Sequence, residues 1–266
     1  MINFHKYEGT GNDFIMINNL KGNIVLTPIQ IKQFCNRNFG IGADGVILLE
    51  KSDKADCFMN YYNSDGSLAE MCGNGSRCTA KFFLEQTGLD LKELKIDTRA
   101  GIKSIKINED NTYSVNMGTP VFESGDFPSG VLKLEGFNFN CVSMGNPHAV
   151  TLVENLNDFD FKVIGSKVEN NSNFSNKINV EFVEKKNDNY YKVKVWERGC
   201  GATLACGTGA CAVYSIIKNK YQDISSTFIF DELTLEFPGG NLFLSENKDG
   251  EIILRGPATF VFKGEI

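Results

Sequence analysis

The chain has 266 residues, of which 42% are hydrophobic, and this is enough apolar sequence to bury a sizeable core and to exclude a wholly disordered protein. Twenty-seven Lys and Arg against 33 Asp and Glu give a net charge of −6 without a basic cluster, which argues against binding to nucleic acid or to anionic membranes. No apolar run approaches the roughly 18 residues of a membrane span, and the first residues lack a signal-peptide pattern, so we expect a cytoplasmic protein.

Short alternating or β-branched runs predict strands along the whole chain. In the first half the predicted strands are Phe14–Asn18, Val46–Leu49, Phe58–Tyr62, Ile102–Ile107 and Tyr113–Met117. In the second half they are Val150–Val153, Val180–Val183, Val193–Trp196, Thr227–Phe230, Leu233–Phe237 and Thr259–Phe262.

Helices are fewer, and three of them are predicted from their starting signals. The first is capped by Thr27, has Pro28 in its first turn and runs to about Phe39. The other two begin in glycine-rich sequence and then turn apolar, over about Asn74–Glu85 and Thr208–Asn219. The polar segment 155–176 is predicted to be a loop or an excursion that contains a helix.

The sequence repeats itself at an offset of 134 positions, almost half its length. Four pairs of fragments share this offset: 72–75 with 206–209, 11–12 with 145–146, 58–63 with 192–197, and Gly45 with Asn179. The repeat predicts a strand-rich α+β protein of two similar lobes. Each lobe is expected to be built around a helix whose N-terminus carries a cysteine.

Cys72 and Cys206 stand out among the eight cysteines because the repeat pairs them at the starts of two helices. A helix N-terminus carries unpaired N–H groups and a partial positive charge, which bind a carboxylate and lower the pKa of an adjacent thiol. With only two histidines and no Cys-x-x-Cys, the sequence predicts no metal site. Cys200 is intermediate between a functional and a packing residue, because it lies in the glycine-rich run just before Cys206. The other cysteines are predicted to be packing residues: Cys35, Cys57, Cys78, Cys141 and Cys211.

If the two lobes face each other across a cleft, both thiols reach one substrate α-carbon from opposite faces. One thiolate then removes the α-proton and the other thiol protonates the planar carbanion from the far side, which inverts the centre without a cofactor. The two helix ends stabilise the negative charge on the carboxylate.

A protein of a different functional class, a thiol redox or metal-binding protein, would use Cys200, Cys206 and Cys211. The G-x-G-x-x-G match Gly40–Gly45 precedes a strand instead of opening a helix, so it does not predict dinucleotide binding.

Several motifs of this chain carry a family resemblance: GTGNDF at 9–14, NSDG at 63–66, MCGNGSR at 71–77, SMGNPH at 143–148, WERG at 196–199 and LACGTGA at 204–210. Together they resemble the diaminopimelate epimerase family over nearly the whole chain. Proline racemases and hydroxyproline epimerases share the fold and the paired cysteines, but they lack the Glu-Arg-Gly run and the set of asparagines. The resemblance implies conversion of LL- to meso-2,6-diaminopimelate without pyridoxal phosphate, in lysine and peptidoglycan-precursor synthesis, by a homodimer.

The family fold implies two pseudo-symmetric lobes, each a mainly antiparallel β-sheet or barrel wrapped around a central helix, with the active site in the cleft between them. We expect residues 1–117 to form the N-terminal lobe, completed by a C-terminal strand at about 256–266. Residues 118–255 are expected to form the C-terminal lobe.

By resemblance, Cys72 is the proton acceptor and Cys206 the donor in the LL-to-meso direction, and His148 and Glu197 tune the thiol pKa values. The implied substrate-binding residues are Asn12, Asn63, Gly73, Asn74, Asn146, Asn179, Glu197, Arg198, Gly207 and Thr208. Residue chemistry supports Arg198 independently, because a bidentate guanidinium suits the distal carboxylate of a diamino diacid.

The chain departs from the family pattern at two positions. Many members carry glutamine at the position of Gly45 and glutamate at the position of Ala202. The reaction class is unaffected, but these changes leave open the alternative of a pyridoxal-independent racemase or epimerase of another amino acid on the same fold.

Overall fold

A computed structural model describes residues 1–222 and 231–266, and the predicted strand Thr227–Phe230 lies outside these residues. The chain divides into two compact units, Met1–Asn116 with Arg255–Ile266, and Met117–Leu254. The strands are β1 (Asn3–Gly9), β2 (Asn12–Asn18), β3 (Gly45–Glu50), β4 (Cys57–Asn63), β5 (Glu93–Asp97), β6 (Lys103–Ile107), β7 (Tyr113–Asn116), β8 (Val131–Leu134), β9 (Phe137–Ser143), β10 (Pro147–Val153), β11 (Asn179–Lys185), β12 (Tyr190–Glu197), β13 (Gly201–Thr203), β14 (Leu233–Phe237), β15 (Gly240–Glu246), β16 (Ile252–Gly256) and β17 (Thr259–Glu265). The helices are α1 (Pro28–Cys35), α2 (Gly73–Thr87), α3 (Phe161–Glu169) and α4 (Gly207–Gln222).

In the first unit the strands pair in the order β17-β1-β2-β3-β4-β5-β6-β7. Only β2–β3 and β4–β5 are parallel among the pairs of this unit's described strands. A parallel pair needs a crossover connection, and α1 and α2 lie in those two connections. Strands β2 and β3 are buried on both faces, which is why each reads as a continuous apolar run.

Helix α2 is the central element of the first unit and packs against every strand from β1 to β7. Nearly every residue from Gly73 to Phe83 is buried, as expected for a helix enclosed on all sides. Cys72 forms its N-cap in an extended backbone conformation, and Gly88 ends it with a left-handed φ of 70°. The opposite face of β2 and β3 packs on α1 through Ile15, Val46 and their neighbours.

In the second unit the strands pair in the order β8-β9-β10-β11-β12-β14-β15, and the short strand β13 also pairs with β12. The two parallel pairs of this described sheet, β10–β11 and β12–β14, are again joined through helix-containing connections. Helix α4 packs against β9, β10, β11 and β15, in the same role as α2. An aromatic core that includes Phe139 and Phe182 fills the face of the sheet towards α3.

The internal repeat is reproduced by the strand pairings of the two units. The parallel pair Phe14 with Gly45 matches His148 with Asn179, and the antiparallel pair Val46 with Tyr62 matches Val180 with Trp196. In both cases the offset is 134 positions. Residues of β2, β3 and β4 therefore have structural counterparts 134 positions later, in β10, β11 and β12.

The predicted α+β fold class is confirmed, with mostly antiparallel pairing and one central helix in each unit. The segment 155–176 contains α3, as expected, with Asp160 as its N-cap. The predicted end of the first helix is wrong, because α1 stops at Cys35 and not near Phe39. The chain turns back there, and the N–H groups of Ile41 and Gly42 donate to the carbonyl of Phe34, which a longer helix would have used itself. No helix within residues 1–222 and 231–266 is long and apolar enough to cross a membrane.

Candidate active site

The thiol of Cys72 lies at the N-terminus of the central helix of the first unit. Its Sγ accepts a hydrogen bond from the N–H of Gly75 at 3.4 Å, so the thiol takes the position that a Ser or Thr oxygen occupies in an ordinary N-cap. A β-carbon on Gly75 would lie 2.8 Å from Cε of Met59 and 3.1 Å from Cδ1 of Ile47. The first turn of α2 therefore approaches the sheet closely because glycine stands at position 75.

Asn12, the first residue of β2 after the turn from β1, reaches the same thiol. Its Oδ1 lies 3.5 Å from Cys72 Sγ and 3.4 Å from Nδ2 of Asn74, while its Nδ2 donates to Asp44 at 2.7 Å. The turn places Asn12 through positive φ values at Thr10 and Gly11. Asn74 is buried, and no described group donates a hydrogen bond to its Oδ1. The predicted residues Asn12, Cys72 and Asn74 are thus brought together.

Asn63 is not bonded to this group. It ends β4, opposite Gly45, and its Nδ2 donates to Ser67 at 3.0 Å within its own turn. Its side chain is half-buried at the carboxyl end of the strand.

The thiol of Cys206 repeats this arrangement in the second unit. Its Sγ accepts from the N–H of Gly209 at 3.3 Å and lies 3.4 Å from Oγ1 of Thr208. Gly207 begins α4 directly after it, as Gly73 begins α2 after Cys72. Cys206 is buried, with 6% of its surface exposed, whereas Cys72 is only partly buried.

His148 on β10 and Asn146, which directly precedes this strand, extend towards Cys206. Nδ2 of Asn146 donates to Thr208 Oγ1 at 3.3 Å, and its Oδ1 lies 3.1 Å from Nε2 of His148. The other ring nitrogen, Nδ1, lies 2.7 Å from Oε1 of Glu181, a carboxylate that is completely buried. The predicted residues Asn146, His148, Cys206 and Thr208 therefore form one connected group.

Glu197 is the last residue of β12, and Arg198 begins the turn to β13. The Glu197 carboxylate accepts from the Thr203 hydroxyl and contacts the Cys206 thiol. Arg198 is exposed and donates through Nη1 to the carbonyl of Asn176 at 3.1 Å. Asn179 holds this turn, because its Oδ1 accepts from the Arg198 N–H and its Nδ2 donates to the Pro147 carbonyl, both at 2.9 Å.

A family model described as diaminopimelate epimerase matches residues 4–123 and 140–261 of the chain. This chain belongs to the diaminopimelate epimerase family. Diaminopimelate epimerases of Carboxydothermus hydrogenoformans and Methanococcus maripaludis are 42% and 41% identical to it, and the alignments cover 98% and 99% of both chains. The diaminopimelate epimerase of Leptospira biflexa is 38% identical over 100% of this chain and 99% of its own.

Solved structures with low sequence identity share the fold of this family. A probable proline racemase from Agrobacterium radiobacter has a TM-score of 0.72 at 12% identity, covering 100% of this chain and 93% of its own. A hydroxyproline epimerase from Agrobacterium vitis, crystallised with trans-4-hydroxy-L-proline, has a TM-score of 0.68 at 13% identity, covering 99% and 91%. A PhzF-family phenazine biosynthesis protein from Bacillus anthracis has a TM-score of 0.66 at 18% identity, covering 100% and 98%.

The electrostatics at Cys206 of this diaminopimelate epimerase family member differ from the expectation drawn from its helix. Burial raises the pKa of the Cys206 thiol well above its usual value, and the charges of Glu197 and Glu181 raise it further. The bonds from Thr208 and Gly209 act in the opposite direction without cancelling this effect. The expected lowering of the thiol pKa is therefore wrong for Cys206, because desolvation outweighs the helix N-terminus. Burial also raises the pKa of Glu197.

Two acidic residues that sequence reasoning missed support this family site. Glu181 lies beneath the first turn of α4, and Glu169 accepts hydrogen bonds from Trp196 Nε1 at 2.7 Å and from the N–H of Gly199 at 2.9 Å. For Glu181 the available signal was a glutamate within the otherwise apolar run Val180–Val183. The other cysteines predicted to be packing residues are buried, and no three described His, Cys, Asp or Glu side chains form a metal-binding group.

Proposed function

We propose that this protein epimerises LL-2,6-diaminopimelate to meso-2,6-diaminopimelate by a two-base mechanism, with Cys72 and Cys206 acting on opposite faces of one α-carbon. The observation that carries the proposal is the same in both units. A cysteine precedes the central helix, and its Sγ lies 3.4 or 3.3 Å from the N–H of the third residue after it. Membership of the diaminopimelate epimerase family and the named relatives support the same substrate.

In the LL-to-meso direction, the Cys72 thiolate removes the α-proton. The electron pair of the broken C–H bond stays on the α-carbon and is delocalised into the substrate carboxylate. The N–H groups at Gly73–Asn74 and Gly207–Thr208 stabilise that negative charge, as donors at helix N-termini do for other developing anions. The Cys206 thiol then gives its proton to the other face of the carbon. One proton enters Cys72 and one leaves Cys206, so exchange with solvent restores the starting state.

The raised pKa of Cys206 supports its assignment as the proton donor. A buried thiol next to two carboxylates stays protonated at neutral pH and is ready to protonate a carbanion. In the reverse direction the same thiol must first lose its proton, and Glu197 and His148 are the groups next to it that bear on this step.

The substrate carries a second amino-acid group, which the exposed guanidinium of Arg198 and neighbouring polar groups are proposed to hold. Asn179 bonds the backbone of Arg198, so it supports binding by fixing the turn. Asn12, Asn74 and Asn146 lie at the two thiols, where neutral amides can bind both an ammonium and a carboxylate. Asn63 is proposed to complete the site from the end of β4. The scheme uses no metal and no organic cofactor.

We further propose a cytoplasmic homodimer that serves lysine and peptidoglycan-precursor synthesis. Strand β17 supports an interface between two copies, because Phe260, Val261 and Phe262 are 39%, 52% and 44% exposed. Sedimentation equilibrium of the purified protein tests the dimer, and a monomer at micromolar concentration would contradict it.

Incubation with LL-diaminopimelate in D2O tests the proposed reaction. Deuterium should enter the α-position of the meso product, and Cys72→Ala and Cys206→Ala should each abolish epimerisation. Cys78→Ala and Cys211→Ala remove buried thiols from the same two helices and serve as matched controls that should retain activity. Turnover of proline or another amino acid, with no exchange of any diamino diacid, would favour the alternative racemase.

A further inference from the structure

Glu181 is a fully buried carboxylate directly beneath the first turn of α4. Its Oε1 lies 2.7 Å from His148 Nδ1, and a β-carbon on Gly209 would lie only 2.6 Å from the same oxygen. Its Oε2 is buried and has no hydrogen-bond partner among the described residues. Burying a charge in this way is expensive unless it is paired, so His148 is its natural counterpart.

The counterparts of this pair in the first unit are apolar. The shared strand registers place Ile47 at the position of Glu181 and Phe14 at the position of His148. Both apolar side chains are fully buried, and Cδ1 of Ile47 faces Gly75 as Oε1 of Glu181 faces Gly209. The fold therefore accepts an isoleucine at this position, so the carboxylate is not needed to build the sheet or the helix.

A continuous series of polar contacts leads from Glu181 to the thiol. The successive distances are 2.7 Å to His148 Nδ1, 3.1 Å from His148 Nε2 to Asn146 Oδ1, 3.3 Å from Asn146 Nδ2 to Thr208 Oγ1, and 3.4 Å from Thr208 Oγ1 to Cys206 Sγ. All five residues belong to the second unit. Three other groups border the series: Glu197 on β12 contacts Cys206, Thr203 holds that carboxylate, and Cys141 on β9 lies near Glu181.

The carboxylate dictates where the imidazole carries its proton. An ionised carboxylate only accepts hydrogen bonds, so Nδ1 facing it must be the protonated nitrogen. The other nitrogen, Nε2, faces Asn146 and not the carboxylate, and it is the nitrogen that differs between the neutral and the charged ring. Without the carboxylate, nothing at Nδ1 would enforce this tautomer.

Asn146 can transmit the state of Nε2, because an amide has a donor at one end and an acceptor at the other. When Nε2 is protonated, Asn146 Oδ1 accepts from it, Nδ2 donates to Thr208, and the Thr208 hydroxyl points to a Cys206 thiolate. When Nε2 carries no proton, the Asn146 amide rotates by half a turn and its Nδ2 donates to Nε2. Its Oδ1 then accepts from the Thr208 hydroxyl, which in turn accepts from a Cys206 thiol. The two arrangements hold the same number of protons.

We propose that Glu181 is a positioning residue that fixes the proton of His148 on Nδ1 and thereby couples the state of Nε2 to the protonation of Cys206. The tautomer itself is independent of the reaction, whereas its consequence for catalysis rests on the function proposed for Cys206. This Glu181–His148 pair belongs to the second unit alone, since Ile47 and Phe14 occupy the equivalent positions in the first unit.

Nuclear magnetic resonance of protein labelled with ¹⁵N-histidine tests the tautomer directly, because the chain has only two histidines and His5 serves as an internal reference. In the wild type, Nδ1 of His148, which faces Glu181, should carry the proton of the neutral ring. Glu181→Ile, which copies Ile47, should move the proton of the neutral ring to Nε2, and Glu181→Gln should retain it on Nδ1 because its amide oxygen still accepts. Glu184→Gln alters another buried carboxylate of β11 and should change nothing at His148.

The second measurement is kinetic. Glu181→Ile should lower kcat roughly tenfold to a hundredfold, by analogy with the loss of groups that orient metal-ligating histidines, with KM changed less than about twofold. In Glu181→Ile, the pH dependence of the alkylation rate of Cys206 should differ from that of the wild type, whereas that of Cys72 should not. Glu181→Gln should restore most of the kcat.

A neutral wild-type ring with a bare Nδ1, or a Glu181→Ile ring with the wild-type tautomer, would overturn the proposal even if epimerisation is normal. If the tautomer changes as expected but no diamino diacid is turned over, the proposed reaction fails and the role of Glu181 stands. If Glu181→Ile does not fold, the wild-type tautomer alone decides.

Discussion

The ring of Tyr61 occupies the space that a side chain on Gly45 would need. A β-carbon on Gly45 would lie 2.6 Å from Cε2 of Tyr61 and 2.5 Å from the carbonyl oxygen of Tyr62. In the second unit the corresponding positions are held by Asn179 and Val195, so a larger residue on β11 faces a smaller one on β12. At these equivalent positions the two units thus carry the larger residue on opposite strands.

This relationship predicts that Gly45→Asn alone is destabilising and that Tyr61→Val relieves part of the cost. Overpacking at a buried position costs about 1–3 kcal/mol, and contacting positions show coupling of roughly 0.5–3 kcal/mol. The free energies of unfolding of the two single variants and the double variant, from urea titrations, measure this coupling. Strictly additive costs would show that Tyr61 is not what excludes a side chain at position 45.

The two glycines at the helix starts should respond differently to alanine. At Gly75 the nearest atom is the flexible end of Met59, which can move aside, so Gly75→Ala should keep activity within about threefold, a loss of less than 1 kcal/mol. At Gly209 the nearest atom is Oε1 of Glu181, which His148 holds in place. Gly209→Ala should therefore lower kcat more than tenfold, or about 1.4 kcal/mol. Steady-state kinetics on the matched pair checks this, and equal effects would contradict it.

Glu169 should stabilise the turn that carries Glu197 and Arg198. Its burial alone would raise its pKa, but bonds from Trp196 and Gly199 together with nearby Lys177 hold the pKa below its usual value. A lowered pKa in the folded state means that this stabilisation is present above the pKa of the unfolded chain and is lost as pH falls through the folded pKa. Glu169→Gln should cost about 1–3 kcal/mol at neutral pH, because one buried donor loses its acceptor.

The measurement is the urea midpoint of Glu169→Gln and of the wild type at neutral and at acid pH. The gap between the two proteins should shrink as pH falls. Glu135→Gln, which removes a carboxylate from an exposed ion pair with Lys167, is a control that should shift the midpoint little at either pH. A gap that stays constant with pH would show that the Glu169 charge does not support the turn.

The Cys206 thiol should react slowly with iodoacetamide at neutral pH and faster as the pH rises, since burial and two carboxylates raise its pKa. Glu197→Gln removes one of those negative charges and should move the rise in rate to lower pH. Peptide mass spectrometry follows each cysteine separately in one sample. Exposed Cys200 provides a reactive reference, and buried Cys57, with a pKa raised to about 12, provides an inert one.

An unchanged pH profile for Cys206 in Glu197→Gln would show that the carboxylate does not act on the thiol. Rapid labelling of Cys206 in the wild type at neutral pH would contradict the raised pKa itself.

Local signals predicted the helix starts well. Thr27 and Pro28 mark the start of α1 through a capping box, and the Cys-Gly-x-Gly motifs mark those of α2 and α4. The ends of helices and the strands inside the sheets were harder to predict, because contacts with residues distant in the sequence determine them. Strand β1 was not predicted, since Lys6 interrupts its apolar pattern; the lysine is nevertheless buried, because Asp13 pairs with it at 2.7 Å.

The sequence by itself determined the repeat at 134 positions, the pairing of Cys72 with Cys206 and the family, because these depend only on residue identity and spacing. The tertiary structure decided what surrounds each thiol. Desolvation and charge at Cys206 are sums over side chains brought in by β10, β11 and β12, and no local pattern around Cys206 contains them. The repeat already pairs Ile47 with Glu181 by their spacing, but only the folded chain shows that each side chain faces the glycine in the first turn of its helix.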